Sequence, residues 1–205
     1  MEITGHDTCT SSHLTPLATM RIHLAVTALA LAFTVPANAQ TGGPFTLSSK
    51  EVAAGKQIPL AQVFGGMGCT GKNVSPSLAW HGAPAATRSF AVTMYDPDAP
   101  TGSGWWHWVV YNIPGNVSAL AAGAGDPAKK LLAPGTAQGN TDFGAPGYGG
   151  PCPPVGDKPH RYVFTVFALK VDKIDVPANA TAAAVAFNIH ANVIAKATFT
   201  ALYGR

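Results

Sequence analysis

Residues 161–169 read Arg-Tyr-Val-Phe-Thr-Val-Phe-Ala-Leu and form the most strand-like stretch of this 205-residue chain. Branched and aromatic side chains of this kind pack well on the pleated surface of a sheet. The segment before it, 134–159, contains seven glycines and six prolines. Such a segment forms neither a helix nor a regular strand, and long loops in compact domains tend to be functional. We therefore predict a strand over 161–169 that begins at the end of a stiff, functional loop.

Further strands are predicted nearer the N-terminus. Segment 89–95 alternates large apolar residues with smaller ones and runs directly into Asp96. Segment 107–113 has a comparable pattern, and shorter strands are expected at 45–47 and 77–80. Strands therefore dominate the middle of the chain.

Strand alternation divides the aromatic residues around 105–108 between two faces of the sheet. Trp106 and Trp108 are expected on one face, and Trp105 and His107 on the other. Further along the strand, the face of His107 is expected to carry Val109, Tyr111 and Ile113. Tryptophans commonly pack cores, whereas a histidine between them at a strand start is a candidate pocket ligand.

The C-terminal region has the pattern of a helix. We predict this helix over 181–202, capped by Asn179 or Thr181 and stopped by Gly204. Its apolar stripe is formed by Val185, Ile189 and Val193. A short helix is also expected over 126–132. The predicted fold class is therefore mainly β, with a β-sandwich or β-sheet core and peripheral helices that include one at the C-terminus.

Composition and charge narrow the function classes. Charged residues make up 11 % of the chain, and the net charge of +3 is spread along it. Proteins that bind nucleic acid usually concentrate basic residues on one face or in one run. The sequence has no such run, no internal repeat and no linker. We therefore expect a single domain that does not bind nucleic acid.

Residues 20–39 have the pattern of a secretory signal peptide. Arg21 follows Met20, residues 24–35 are apolar, and residues 37–39 form an Ala-x-Ala cleavage site. The alternatives are a buried helix or a retained membrane anchor, although the apolar stretch is shorter than the roughly 20 residues that span a bilayer comfortably.

This signal divides the chain into three parts. Residues 1–19 are polar and unpatterned, which indicates a mis-assigned start or an unstructured extension. Residues 40–205 would then be the mature single domain. We expect it in the periplasm or secreted, with no membrane span once the signal is removed.

Two cysteines, Cys69 and Cys152, remain in the predicted mature protein. An even pair in an exported protein predicts a disulfide, and two separate buried thiols are the alternative. No second Cys-x-x-Cys or histidine pair accompanies them, so we expect no zinc and no other cofactor.

Two segments carry the candidate chemistry. Residues 96–100 read Asp-Pro-Asp-Ala-Pro and are followed by the Trp-Trp-His-Trp run at 105–108. Residues 150–154 read Gly-Pro-Cys-Pro-Pro and lead to His160 and Tyr162, which face the same way because they are two apart in a strand. Prolines stiffen both segments. A fold that joins them makes a small pocket of carboxylate, imidazole and phenol groups, although Asp-Pro pairs also cap ordinary turns.

These segments resemble the phosphatidylethanolamine-binding protein family, in its bacterial Raf-kinase-inhibitor-like branch. Supporting matches are Gly68-Cys69 and the Asn-Val-Ser-Pro run at 73–76. The resemblance implies a large central antiparallel sheet packed on a smaller sheet, with short helices towards the C-terminus. Trp106 departs from it, because animal members often carry a second histidine there, and the wall becomes bulkier and less polar.

The resemblance also implies a ligand pocket for phosphate-type anions or phospholipid head groups. Its residues would be Asp96, Asp98, Trp105, His107, Pro153, His160 and Tyr162. Asp98 and His107 would bond the polar head, and Asp96 would orient the backbone or a neighbouring imidazole. Because a carboxylate favours a charged imidazole, we expect stronger phosphate binding at pH 6 than at pH 8.

Three functions remain open from the sequence. The first is an exported binding protein that also modulates a partner protein. The second is a secreted protein-interaction module, such as a protease or kinase inhibitor. The third is a hydrolase with His107 or His160 as base, for which no serine or cysteine nucleophile is identifiable nearby. An Asp-Phe-Gly run at 142–144 matches a kinase motif, but its companion motifs are missing, so we interpret it as coincidence.

Overall fold

The computed structural model describes residues 43–205, so the predicted signal peptide and the segment before it lie outside the described residues. The described part is mainly β. In chain order its strands are β1 (Thr46–Ser48), β2 (Leu78–His81), β3 (Ser89–Asp96), β4 (Trp105–Pro114), β5 (Ala119–Leu120), β6 (Ala137–Gln138), β7 (His160–Leu169) and β8 (Val193–Tyr203). All the strand pairs are antiparallel. The larger sheet has the order β6–β4–β3–β7–β8, and the smaller sheet has the order β1–β2–β5.

The larger sheet is covered on both faces. On one face, Met94, Trp108 and Phe164 pack with Trp80 of β2 and Leu120 of β5, which joins the two sheets in one core. On the other face a second cluster includes Val109 of β4, Phe167 of β7 and the helix residues Val185 and Ile189. Burial of apolar surface in these two layers is the main stabilising contribution.

Two irregularities in β4 overturn the predicted alternation. Met94 pairs with Trp108 and Tyr95 with Trp106, which leaves His107 as one extra residue in β4. An extra residue of this kind is a β-bulge, and it reverses the alternation of side chains beyond it. Trp106 therefore packs in the helix-side cluster and Trp108 in the inter-sheet core. The prediction that these two tryptophans share a face was wrong.

A second bulge at Asn112 reverses the alternation again. Val92 pairs with Val110 and Phe90 with Ile113, so that one extra residue lies between them in β4. Ile113 joins the inter-sheet core, whereas Tyr111 lies in the helix-side cluster. Asn112 has a positive φ of 58°, a conformation that asparagine tolerates better than most residues. The prediction of one continuous face through the strand was therefore wrong here as well.

The C-terminal prediction needs a larger correction. The helix α1 covers only Ala182–Asn192, with Thr181 as its N-cap, and the chain continues as β8. From residue 193 the sequence is rich in branched and aromatic residues, and β8 pairs with β7 along its whole length. Sheet pairing therefore outweighs the helical pattern, and the peripheral helix precedes the C-terminal strand.

The remaining predictions differ from the structure by smaller amounts. The helix expected over 126–132 is one 3₁₀ turn, Pro127–Lys129, capped by Asp126. The loop 134–159 is irregular apart from β6, as its composition predicts. Within residues 43–205, no helix is both long enough and apolar enough to cross a bilayer.

Replacing Asn112 with alanine should lower the free energy of unfolding by about 3 kcal/mol. The Asn112 side chain donates to the carbonyl of Ile174 (3.1 Å) and accepts from its N–H (2.7 Å), and both bonds are buried. Asn112→Gly loses the same bonds but relieves the positive φ, so it should cost about 1 kcal/mol less. Urea unfolding of the three proteins measures both effects. Equal stability of Asn112→Ala and the wild type would contradict this account of the bulge.

Candidate functional site

A cavity of about 270 Å³ opens where β3 ends and where β4 and β7 begin. The sheet supplies its floor, and three loops supply its walls. The lining residues are Met67, Asp96, Ala99, Pro100, Thr101, Trp105, His107, Phe143, Cys152, Pro153, Pro154, His160, Tyr162 and Arg205. The two segments singled out in the sequence thus lie together.

Asp96 and His160 form a buried pair at the base of the cavity. Asp96 is the last residue of β3 and is only 2 % exposed. One of its carboxylate oxygens accepts the Nδ1–H of His160 at 2.8 Å, and the other accepts the backbone N–H of Asp98 at 2.8 Å. The second ring nitrogen of His160 lies 3.4 Å from the Asp157 carboxylate. Asp96 therefore fixes both the imidazole and the turn that follows β3.

His107, the bulge residue of β4, presents an acceptor to the cavity. Its Nδ1–H donates to the carbonyl of Gly149 at 2.7 Å, and the N–H of Gly149 donates back to the carbonyl of His107 at 2.9 Å. Burial lowers the pKa of His107 from 6.5 to about 4. With Nδ1 carrying the single proton of the neutral ring, Nε2 is left as an acceptor. The expectation of a charged imidazole at pH 6 is therefore wrong for His107.

Tyr162 supplies a donor next to this acceptor. Its ring meets that of His107 edge to face, with centroids 5.2 Å apart. Its hydroxyl is buried and forms no hydrogen bond of ordinary geometry with the described residues, although the Asp96 carboxylate lies near enough to interact with it. Burial, and secondly the charge of Asp96, raise the pKa of Tyr162, so the hydroxyl keeps its proton. A buried hydroxyl without a partner is costly unless a ligand or water completes it.

Aromatic rings and prolines form the rest of the wall. The ring of Phe143 lies 5.5 Å from that of Trp105, 5.4 Å from that of His107, and 4.6 Å from that of Phe64. The carboxylate of Asp142 accepts the N–H of Trp106 at 2.7 Å, which holds this part of the long loop against β4. The chance kinase-like run at 142–144 thus contributes a wall of the cavity.

The outer wall is cross-linked. Cys69 and Cys152 form a disulfide with their Cα atoms 6.0 Å apart, which confirms the predicted pairing. Arg205 adds a second connection across the same gap: Nε donates to the carbonyl of Pro153 at 2.6 Å, and Nη1 donates to the carbonyl of Gly68 at 2.8 Å. Two loops that are distant in sequence therefore form one wall.

Asp98 lies outside the cavity lining. Its carboxylate accepts two hydrogen bonds from the Arg161 guanidinium, at 2.7 and 2.9 Å, and one from the Arg161 backbone N–H at 2.8 Å. The hydrogen bonds from the Arg161 side chain hold the pKa of Asp98 below its usual range. Asp98 thus fastens the turn after β3 to the start of β7, and both of its carboxylate oxygens accept from Arg161.

The sequence profile of the family described as Phosphatidylethanolamine-binding protein matches residues 48–204. The chain belongs to the phosphatidylethanolamine-binding protein family. Both the family resemblance and the mainly β fold expected from the sequence are thereby confirmed.

Several bacterial members of the family are similar to the chain. YbcL of Escherichia coli (strain K12) is 53 % identical over 159 residues, which cover 78 % of this chain and 87 % of the relative. YbhB of the same strain is 49 % identical over 157 residues, covering 77 % and 98 %. A protein of Mycobacterium tuberculosis (strain ATCC 25618 / H37Rv) that carries the name "Putative lipoprotein LppC" is 36 % identical over 138 residues, covering 67 % and 61 %.

Solved structures give the same result. The crystal structure of E. coli YbcL, described as a new member of the mammalian family, has a TM-score of 0.77 at 52 % identity and covers 78 % of this chain and 98 % of that chain. A family homologue from Chlamydia trachomatis has a TM-score of 0.65 at 31 % identity, with 78 % and 97 % covered.

Six of the fourteen residues that line the cavity were predicted from the sequence as site residues. They are Asp96, Trp105, His107, Pro153, His160 and Tyr162. Whether they bind a ligand stays a prediction. Phe143 and Arg205 are among the lining residues that were not predicted, because the long loop and the residues after β8 reach the cavity only through tertiary structure. No local pattern around either residue signals a site.

Asn73 holds the backbone that orients His107. Its Nδ2–H donates to the carbonyl of Tyr148 at 3.1 Å, and its Oδ1 accepts the N–H of Gly150 at 2.7 Å. These two bonds flank Gly149. Asn73→Gly should lower the free energy of unfolding by about 2 kcal/mol, because it removes both bonds and tolerates the φ of 52°.

Urea unfolding measures this loss. Asn73→Asp keeps the acceptor for Gly150 but replaces the donor to Tyr148, so it is the matched comparison. A wild-type stability of Asn73→Gly would show that the two bonds do not hold the loop.

The buried, neutral His107 predicts a pH dependence of stability. Between pH 6.5 and about 4, the unfolded chain takes up a proton on this imidazole and the folded protein does not. Stability contributed by His107 is therefore present above pH 6.5 and lost as pH falls towards 4, by about 3 kcal/mol in total.

The matched variant is His107→Asn, whose side-chain amide can replace the Nδ1–H bond to Gly149 without titrating. Urea unfolding at pH 7 and pH 4.5 should show a smaller loss of stability for the variant than for the wild type. Identical losses in the two proteins would contradict the assignment of a neutral His107.

Proposed function

We propose that this protein binds a phosphate-type anion or a phospholipid head group in the cavity between β3, β4 and β7. One observation carries the proposal: the Nε2 acceptor of His107 faces an open, mostly apolar cavity that is also lined by Tyr162, whose buried hydroxyl has no hydrogen bond of ordinary geometry to the described residues. A ligand that both donates and accepts hydrogen bonds would satisfy the two groups together.

A singly protonated phosphate monoester has this chemistry. Its P–O–H group can donate to Nε2 of His107, and its other oxygens can accept from the Tyr162 hydroxyl. Asp96 acts indirectly, by positioning its neighbours, because its oxygens already accept hydrogen bonds from His160 and from the N–H of Asp98. The volume of about 270 Å³ fits a head group rather than a long acyl chain.

Export supports the same assignment. The disulfide is typical of oxidising compartments, and the similarity to the lipoprotein LppC agrees with an exported protein. We propose the periplasm or the extracellular medium as its location, with removal of residues 20–39.

A second candidate, a protein-interaction module, is favoured by the rim of the cavity. The side chain of Met67 is 68 % exposed, and Val155, next to the lining residue Pro154, is 76 % exposed. A contiguous apolar patch at the rim of a pocket is typical of a contact surface, and these two side chains would contribute to one. Such a contact is compatible with a bound head group.

The hydrolase alternative is weaker. The family is not an established enzyme family. Among the described lining residues there is no serine, and Cys152 is in the disulfide. We therefore propose a binding role rather than a catalytic one.

Phosphoethanolamine should bind more tightly at pH 5 than at pH 8, by about tenfold or more. The second pKa of a phosphate monoester is about 6, so the form with a P–O–H donor dominates at pH 5 and disappears at pH 8. The expected pH effect has the direction predicted from the sequence, but its cause is the proton on the ligand. Isothermal titration calorimetry at the two pH values measures it.

Two controls separate this cause from others. Sulfate carries no proton in this range, so its affinity should lack the pH dependence of phosphoethanolamine. His107→Asn lacks the Nε2 acceptor and should lose most of the preference for pH 5. Vesicles with and without phosphatidylethanolamine distinguish a lipid from a free metabolite as the source of the head group. A wild-type affinity for phosphoethanolamine that does not change with pH would overturn the proposed role of His107.

A further inference from the structure

Arg205 is the one lysine or arginine among the residues that line the cavity. The described part of the chain contains two other arginines. Arg88 pairs with Asp172, and Arg161 pairs with Asp98. Arg205 forms no salt bridge with a carboxylate among the described residues. A fixed charge of this kind beside a cavity attracts an anion.

The hydrogen bonds of Arg205 leave part of its guanidinium available. Its contacts go to three backbone carbonyls: Pro153 at 2.6 Å, Gly68 at 2.8 Å and, at the limit of a hydrogen bond, Met67 at 3.5 Å. A guanidinium has five N–H groups, so two have no partner among the described residues. These two remain for the oxygens of a ligand.

The same contacts hold the guanidinium in place. Its carbonyl partners belong to the two loops that the Cys69–Cys152 disulfide joins. Gly68 has a positive φ of 78°, which glycine adopts without strain, and this backbone conformation presents its carbonyl to Arg205. A side chain that is fixed before binding loses little conformational entropy when the ligand arrives.

We propose that Arg205 contacts the ligand directly and gives the cavity its preference for anionic head groups. This inference rests on the proposed function and adds a division of labour to it. His107 and Tyr162 read the hydrogen-bonding pattern of the head group, whereas Arg205 reads its negative charge. The ligand class is then an oxyanion with at least two free oxygens, such as a phosphate monoester, and not a neutral polar group.

The test compares phosphoethanolamine binding at pH 5 by the wild type and three variants. Arg205→Gln should weaken binding by about 10- to 100-fold, the usual effect of losing charge-assisted hydrogen bonds. Arg205→Lys cannot span the same carbonyls, but it keeps the positive charge. It should therefore retain most of the affinity. Arg88→Gln removes the same net charge far from the lining and should change affinity less than twofold. Calorimetry at 20 and 200 mM NaCl should show a smaller salt effect in Arg205→Gln than in the wild type.

The outcomes are distinguishable. If Arg205→Lys binds as poorly as Arg205→Gln and both keep the wild-type salt effect, Arg205 only ties the loops, and the inference is overturned. If Arg205→Gln binds like the wild type while His107→Asn does not, the inference fails and the proposed function stands. If the folded wild type binds neither phosphoethanolamine nor inorganic phosphate, both fail. Circular dichroism and urea unfolding of each variant confirm that the compared proteins are folded.

Discussion

The hydrogen bond from Nδ1 of His107 to the carbonyl of Gly149 connects the two parts of the structure that form the cavity, the larger sheet and the long loop before β7. In the sheet, His107 is the extra residue of a bulge. The loop is held from outside by Asn73 through Tyr148 and Gly150. The bond places the proton of the neutral imidazole on Nδ1 and leaves Nε2 as acceptor. Both the shape of the cavity and its hydrogen-bonding character depend on it.

The charged residues in and around the cavity have different roles. Asp96 is buried and its oxygens are occupied, so it organises its surroundings. Asp98 and Arg161 neutralise each other and fasten one strand end to the next. Arg205 remains as a positive charge that forms no salt bridge with a carboxylate among the described residues, beside apolar walls. This distribution is the basis of the proposed preference for a small anionic head group.

The sequence predicts the parts of this site that depend on local chemistry, such as the two stiff segments and the cysteine pair. Features that depend on pairing with a distant strand escape it. The bulge at His107 exists only relative to β3, and residues from 193 become β8 because β7 offers a partner. Asp96 and Asp98 have the same local sequence signal. Asp96 is a buried positioning group, whereas Asp98 forms an ion pair outside the cavity, because Arg161 lies next to Asp98 in the folded protein.

The disulfide changes the covalent connectivity of the chain. Cys69 and Cys152 close a ring that contains β2 to β6, and the cavity residues Asp96, Trp105 and Phe143 belong to it. Any single cut of the backbone inside that ring leaves one molecule, with β7 and β8 still attached through Cys152. Surface loops such as the one around Lys130 could therefore be cleaved by a protease without releasing either half of the cavity.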